Sequence, residues 1–325
     1  MELFFCLSGF IFFHLYADPI AQRKISAREF AWLRLSRLYP LHFATLLLTA
    51  LGQALMIAKF GAPFVYAEND GTHFALHLLF ASSWGFERGL SFDGPAWSIS
   101  VEMLLYGGFF LLCLLRVRQW WQLLALIAAG YLLLWTGPIH DGRGVMSFFI
   151  GGLVCGLFHR CWQKELPRWA IATAATPAAI LWLGQIWDFP RAQLLDLAAQ
   201  THAAAGPGRD YPGFLLLQIA QYFNELLLFP LTILALTLVE ARRGQLFTAC
   251  SFLGDLSYST YLLHFPLQLG AVLLCRALGI DRTIFRSPLS FVAFFGVLLV
   301  LAWCSYTFLE RPAQSWLRAK FARAR

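Results

Sequence analysis

Apolar runs about 20 residues long, the length a helix needs to cross about 30 Å of hydrocarbon, recur from one end of this chain to the other. With 59% hydrophobic residues, 13% charged residues and a mean hydropathy of +0.61, the 325 residues carry too little polar surface to cover a soluble globule. The pattern predicts an all-α, polytopic membrane helix bundle forming one domain over residues 1–325. Nine spans are expected, over residues 2–17, 41–58, 95–115, 120–137, 144–162, 169–188, 212–239, 251–275 and 287–309. Residues 72–86 are too short and too polar to cross, holding His73, His77 and two serines, so they read as re-entrant or interfacial, or as an ordinary surface helix.

Lysine and arginine placement orients the bundle. If the loop after the first span is cytoplasmic, seventeen of the 25 basic residues fall inside, among them Arg23, Lys24, Arg116, Lys164, Arg242, Arg318 and Arg325. The C-terminus is then cytoplasmic and Met1 faces out. An outward start without the basic region of a signal peptide asks for one further helix before Met1, unless a short uncharged terminus simply flips across. Small and polar residues such as Ser8 and Gly9 are expected to face that helix. The net charge of +7 is spread over short loops and a tail, which follows topology and argues against a nucleic-acid partner. The seven cysteines lack metal-ligand spacing and read as small buried hydrophobes, with no metal expected.

One acid interrupts the third span. Glu102 lies in PAWSISVEMLLY, residues 95–106, after a proline suited to a first helical turn. A carboxylate in hydrocarbon costs several kcal/mol unless it is neutralised, paired or wetted, so it marks a candidate functional group. Ser98, Glu102 and Tyr106 are spaced by four and share one helical face.

Two other strings depart from lipid-facing composition. Arg34 and Arg37, one turn apart in a run that Pro40 is expected to kink, suit either a bidentate phosphate fork or simple topology signalling. In SYSTYLLHFPL, residues 257–267, the hydroxyls of Ser257, Tyr258, Ser259, Thr260 and Tyr261 precede His264 and a kinking Pro266. That span suits the wall of a wet cavity, or His264 is a hydrogen-bonded packing residue. Counting from the outer helix ends at 1.5 Å per residue sets Glu102 roughly 10 Å deep and His264 roughly 16 Å deep, a similar level at which a carboxylate and an imidazole can exchange protons.

FFCLSGF near the start, RLSRLYP, PAWSISVEMLLY, SYSTYLLHFPL and the closing LERP occur in that order over nearly the whole chain. Together they resemble the membrane-bound acyltransferase-3 family of bacterial O-acyltransferases. The resemblance implies ten helices and transfer of an acyl group, acetyl foremost, from cytoplasmic acyl-CoA to a hydroxyl of a cell-surface or secreted carbohydrate. It implies donor-side roles for Arg34 and Arg37, catalytic roles for Glu102 and His264, and a substrate cavity lined by Trp97, Ser98, Tyr106, Ser257, Tyr258 and Tyr261. Family members carry a preceding helix with an arginine and a histidine, which is expected upstream of this sequence. Acyl-CoA, the carbohydrate acceptor and membrane lipid are the expected partners. A glycan transporter or flippase, or a non-catalytic membrane subunit, are the competing readings. The outer segment 189–211, with its GPG, reads as a connector or an acceptor-side loop.

Overall fold

The computed structural model describes residues 1–137, 139–163, 168–205, 211–244 and 248–323. Its helices run α1 (Glu2–Leu15), α2 (Ala17–Ala21), α3 (Ala27–Phe60), α4 (Gly71–Leu78), α5 (Trp97–Leu114), α6 (Trp120–Thr136) and α7 (Ile139–Gln163). They continue as α8 (Arg168–Gly184), α9 (Arg191–Ala205), α10 (Tyr211–Gln221), α11 (Phe229–Arg243), α12 (Ser251–Ala277), α13 (Pro288–Ser305) and α14 (Arg311–Arg323). Among the described residues there is no strand.

Helix occupies each of the nine expected spans, yet among the described residues five stretches are long and apolar enough to cross by themselves: 27–60, 94–114, 139–162, 224–243 and 288–322. Residues 2–15, 120–136 and 171–187 form shorter apolar helices. The abundance of exposed Leu, Phe, Ile and Trp side chains on these helices is what a lipid-facing surface requires.

The chain divides into two compact units, Met1–Gln22 with Gly108–Leu246, and Arg23–Gly107 with Phe247–Arg325. In the first unit, glycines set the helix spacing. A Cβ on Gly9 would stand 1.9 Å from the Phe148 carbonyl oxygen, and one on Gly151 would stand 2.0 Å from that of Cys6. These two residues therefore let α1 and α7 touch backbone to backbone, as small residues do in membrane bundles. Gly9 is thus occupied by α7, and the expectation that it awaits another helix does not hold. Gly130 and Gly142 bring α6 and α7 together in the same manner. Cys6, Phe10, Ile150, Val154, Phe158 and Ile233 fill the core between α1, α7 and α11.

The segment expected as a loop over 189–211 is largely the 15-residue helix α9, which packs against α10. Its Leu and Ala content favours helix, and the absence of a long apolar stripe hid it. Gly206, Pro207 and Gly208, with Lys164 and Arg325, lie outside the described residues.

In the second unit, α3 is a single 34-residue helix that carries Pro40 in its interior. Ser26 caps it by accepting from the Glu29 N–H, and Gly61 ends it at φ 72°, a conformation that favours glycine. The arginine-rich run and the following span, expected to begin at residue 41, are therefore one element with Pro40 inside it. Within the polar 72–86 segment, α4 buries His73 and His77 on one face and exposes Thr72 and Ala75 on the other. His42 Nε2 donates to the His77 carbonyl (2.8 Å), and Gln53 both donates to and accepts from the Phe64 backbone (2.8 Å each). These bonds pin the 61–93 segment to α3. A π-helical turn, Tyr306–Glu310, joins α13 to α14, and another, Asn224–Leu228, precedes α11 in the first unit.

Candidate active site

The residues singled out by sequence meet within the second unit, on α3, the first turns of α5, and α12. A 3₁₀ turn, Gly94–Ala96, delivers the chain into α5, with half-buried Trp97 as its first residue. Gly94 is required there, since a Cβ would stand 2.2 Å from the Tyr66 ring. Ser98, Glu102 and Tyr106 line one face as expected. The Tyr106 hydroxyl donates to Glu102 Oε1 in a short hydrogen bond. The Arg34 guanidinium lies over the Tyr106 ring, 5.8 Å from its centroid, and 5.7 Å from that of Phe30, within cation–π range.

From α12, the Tyr261 hydroxyl accepts from Ser98 Oγ (2.9 Å) and donates to the Pro95 carbonyl. The Tyr258 hydroxyl donates to the Leu38 carbonyl on α3 (2.6 Å). His264 directs Nδ1 at the Tyr261 carbonyl one turn back. Because a carbonyl only accepts, Nδ1 carries the proton, which leaves the Nε2 lone pair as the basic position. Ser257 donates to the Gly254 carbonyl (2.7 Å) within its own helix and forms no bridge to α3 or α5.

The contact pairs fix the helix directions. Leu38 meets Tyr258 and Gly52 meets Leu269, so α3 and α12 run parallel. Arg34 meets Tyr106 at one end of α5 while Thr45 neighbours Asp93 at the other, so α5 runs against both. This corrects the expected level of Glu102 and His264. With Ser98 and Tyr261 paired, Glu102 is four residues toward the Arg34 end and His264 three residues toward the Gly52 end, and at 1.5 Å per residue the two stand about 10 Å apart along the axis. Counting from helix ends failed because those ends are not level. The result is a polar column that runs Arg34, Tyr106, Glu102, then Ser98 with Tyr261, then His264.

The two arginines engage different partners. Arg34 is half-buried against Tyr106, whereas Arg37 is exposed and within electrostatic reach of Glu310 and Tyr258.

Three features escaped the sequence reading. Glu310, at the end of the second π turn, is buried and accepts from Ser259 (2.5 Å) and Ser305 (3.0 Å). It lies in LERP, where its charge resembled an ordinary interfacial residue. His77, pressed to about 3 by burial and by neighbouring His42, stays neutral and donates Nε2–H to Ser91. Asp93 is 1% exposed, and neither carboxylate oxygen has a hydrogen-bond donor. The neighbouring Thr45 hydroxyl gives its proton to the Leu41 and His42 carbonyls (3.1 Å each). Burial pushes the Asp93 carboxyl up to about 8, Thr45 opposing only in part. An aspartate two residues before a proline is a common turn signal, and nothing in the sequence marks it as interior.

Chemically, this arrangement offers an imidazole whose Nδ1 is engaged by a carbonyl and whose Nε2 is the remaining ring nitrogen, an acid hydrogen-bonded to a phenol, and a guanidinium at the arginine-rich end. Such a set suits proton transfer and anion recognition. The profile of a family described as an acyltransferase domain matches residues 1–307. Acyltransferase MdmB of Streptomyces mycarofaciens is 26% identical over 330 residues, which span 98% of this chain and 81% of that protein. No solved structure matches the chain.

Proposed function

Because the chain belongs to the acyltransferase-domain family and is a multi-pass membrane enzyme that transfers acyl groups, we propose that its donor is cytoplasmic acyl-CoA and its acceptor a carbohydrate hydroxyl. Acetyl is the expected acyl group, and the acceptor a cell-surface or secreted glycan. The observation that carries this reading is the polar column from Arg34 to His264, set in helices otherwise suited to lipid.

The acceptor oxygen attacks the thioester carbonyl, forming the C–O bond as the C–S bond breaks. His264 Nε2 takes the hydroxyl proton, and the resulting imidazolium returns it to the departing thiolate through solvent, so that the base is regenerated. Tyr261, fixed by Ser98 and Pro95, holds the imidazole in the tautomer that keeps Nε2 free. Glu102 and Tyr106 orient the groups between donor and base, while Arg34 and Arg37 engage the donor phosphates. Trp97 and Tyr258 are assigned to the wall of the acceptor site. The excess of basic residues in loops assigned to the inside supports an inner-membrane protein with a cytoplasmic C-terminus.

Labelled acetyl-CoA supplied to the cytoplasmic face of vesicles tests the proposal, with label expected in a glycan acceptor. Glu102→Gln keeps side-chain size but loses the ionisable proton, and transfer is expected to fall at least about 100-fold, the range typical of a lost acid–base group. Undiminished transfer by that variant removes Glu102 from the mechanism. Glycan movement without any acyl donor would favour a flippase.

A further inference from the structure

The first unit contains a cluster outside the polar column. Cys155 and His159 are four residues apart on α7 and therefore share a face. Glu2 of α1 pairs with Arg143 of α7 at one end, and Gly9 and Gly151 hold the two helices in backbone contact. Toward the other end, His14 of α1 comes level with His159: Nδ1 of the first lies 3.2 Å from Nε2 of the second, with the ring centroids 5.1 Å apart. The ligand atoms of His14, Cys155 and His159 all fall within 4.8 Å of one another.

A tetrahedral ion with metal–nitrogen bonds of about 2.05 Å has ligand–ligand edges of about 3.3 Å. The imidazole nitrogens already stand at that spacing. The thiol needs a shift of at most about 1.2 Å, because a metal–sulfur bond of about 2.3 Å lengthens its own edges to about 3.6 Å. Cys155 is buried while both histidines are exposed, so the sulfur forms the floor of a site whose rim is open. Asp18 lies within electrostatic reach of both Cys155 and His159 and is itself paired with the Arg118 guanidinium, so the site rests on its three ligands alone. The other cluster of candidate ligands, Glu68, Asp70 and His73, differs in that the Arg88 guanidinium already pairs with both of its carboxylates.

We propose that His14, Cys155 and His159 form a binding site for a borderline-soft transition metal of the zinc class, a clasp that ties α1 to α7. One thiolate and two imidazoles select such an ion over magnesium or calcium, which prefer oxygen ligands. On binding, the Cys155 S–H bond breaks and the proton leaves to water, an S–metal bond forms, and each imidazole contributes one lone pair. No electron is transferred. The fourth position remains for water. Cysteine spacing alone gives no hint of the site, because its third ligand comes from a separate helix.

The test uses the full chain in detergent micelles, stripped with a chelator and titrated with Co²⁺ and Zn²⁺. We expect about one ion per chain, tetrahedral Co²⁺ absorption bands with a sulfur-to-cobalt charge-transfer band, and displacement of both by Zn²⁺. Cys155→Ser should abolish the charge-transfer band. His14→Ala and His159→Ala change exposed side chains, which spares the core, and each should weaken Zn²⁺ binding at least about 100-fold, beyond the 10–100-fold that outer-shell partners cost. Absence of the charge-transfer band in the unmodified protein, or unchanged affinity in the His14→Ala/His159→Ala double variant, overturns the proposal and leaves an imidazole–imidazole hydrogen bond. The readouts are independent of acyl transfer.

Discussion

Asp93→Asn should change not only the stability of this protein but the sign of its effect with pH. The folded carboxyl is raised from 3.8 to about 8, so between those values the folded state holds a proton that the unfolded state has lost. Stability therefore falls as pH rises, by about 1.4 kcal/mol per unit. At pH 7 the cost of that proton uptake is about 4 kcal/mol. Asparagine has nearly the same shape and no proton to take up, but its amide is left without partners, at a cost of about 1–3 kcal/mol. The variant should be the more stable protein at pH 7 by about 1–3 kcal/mol and the less stable one at pH 4 by a similar amount, the two crossing between about pH 4.5 and 6. Denaturant titrations in mixed micelles at pH 4, 5, 6, 7 and 8 measure this directly. Parallel pH dependence in the two proteins would refute the reasoning, since it would mean that Asp93 is already ionised in the fold.

Exchanging Arg34 and Arg37 together for lysine keeps the charge that sets topology but loses planar bidentate donors, so acyl-CoA affinity measured by calorimetry should fall about tenfold or more while membrane orientation is unchanged. Equal affinity would reduce the pair to topology signals. Gly151→Ala places a Cβ against the Cys6 carbonyl and should cost about 1–3 kcal/mol or more, whereas Gly156→Ala on the same helix meets nothing within 4 Å and should be neutral or slightly stabilising in the same unfolding assay. A double-mutant cycle on Ser98→Ala and Tyr261→Phe should return a coupling of about 1 kcal/mol, and a value near zero would deny that this pair ties α5 to α12.

Helix content and the grouping of site residues were legible because hydrocarbon enforces long apolar runs and makes each polar interruption conspicuous. Glu102 stood out for that reason, and its i, i+4 partners followed from helical periodicity. Levels were not legible, since periodicity gives the face of a helix but not its offset against a neighbour. The bonds of the Tyr261 hydroxyl to Ser98 and to the Pro95 carbonyl supply that offset. Asp93 and Glu310 were hidden differently: each sits at the edge of an apolar run, where a charge reads as interfacial, and only the inward fold of 61–93 and the π turn at 306–310 bury them. α9 was missed because its alanines and polar residues carry helix propensity without an apolar stripe.

The unbroken length of α3 has a mechanical consequence. At 1.5 Å per residue its 34 residues form a rod about 51 Å long, which exceeds the roughly 30 Å of hydrocarbon by about 20 Å. No loop uncouples the arginine end from the end near Gly61, so a ligand that tilts one end displaces the other in the opposite sense. The compliant point along the rod is Pro40, where the backbone hydrogen bond to Ser36 is missing. It falls between the two arginines and His42, beside the Leu38 carbonyl that holds Tyr258. Whatever flexure occurs there is transmitted first to the helix that carries His264, which makes α3 a lever as well as a wall.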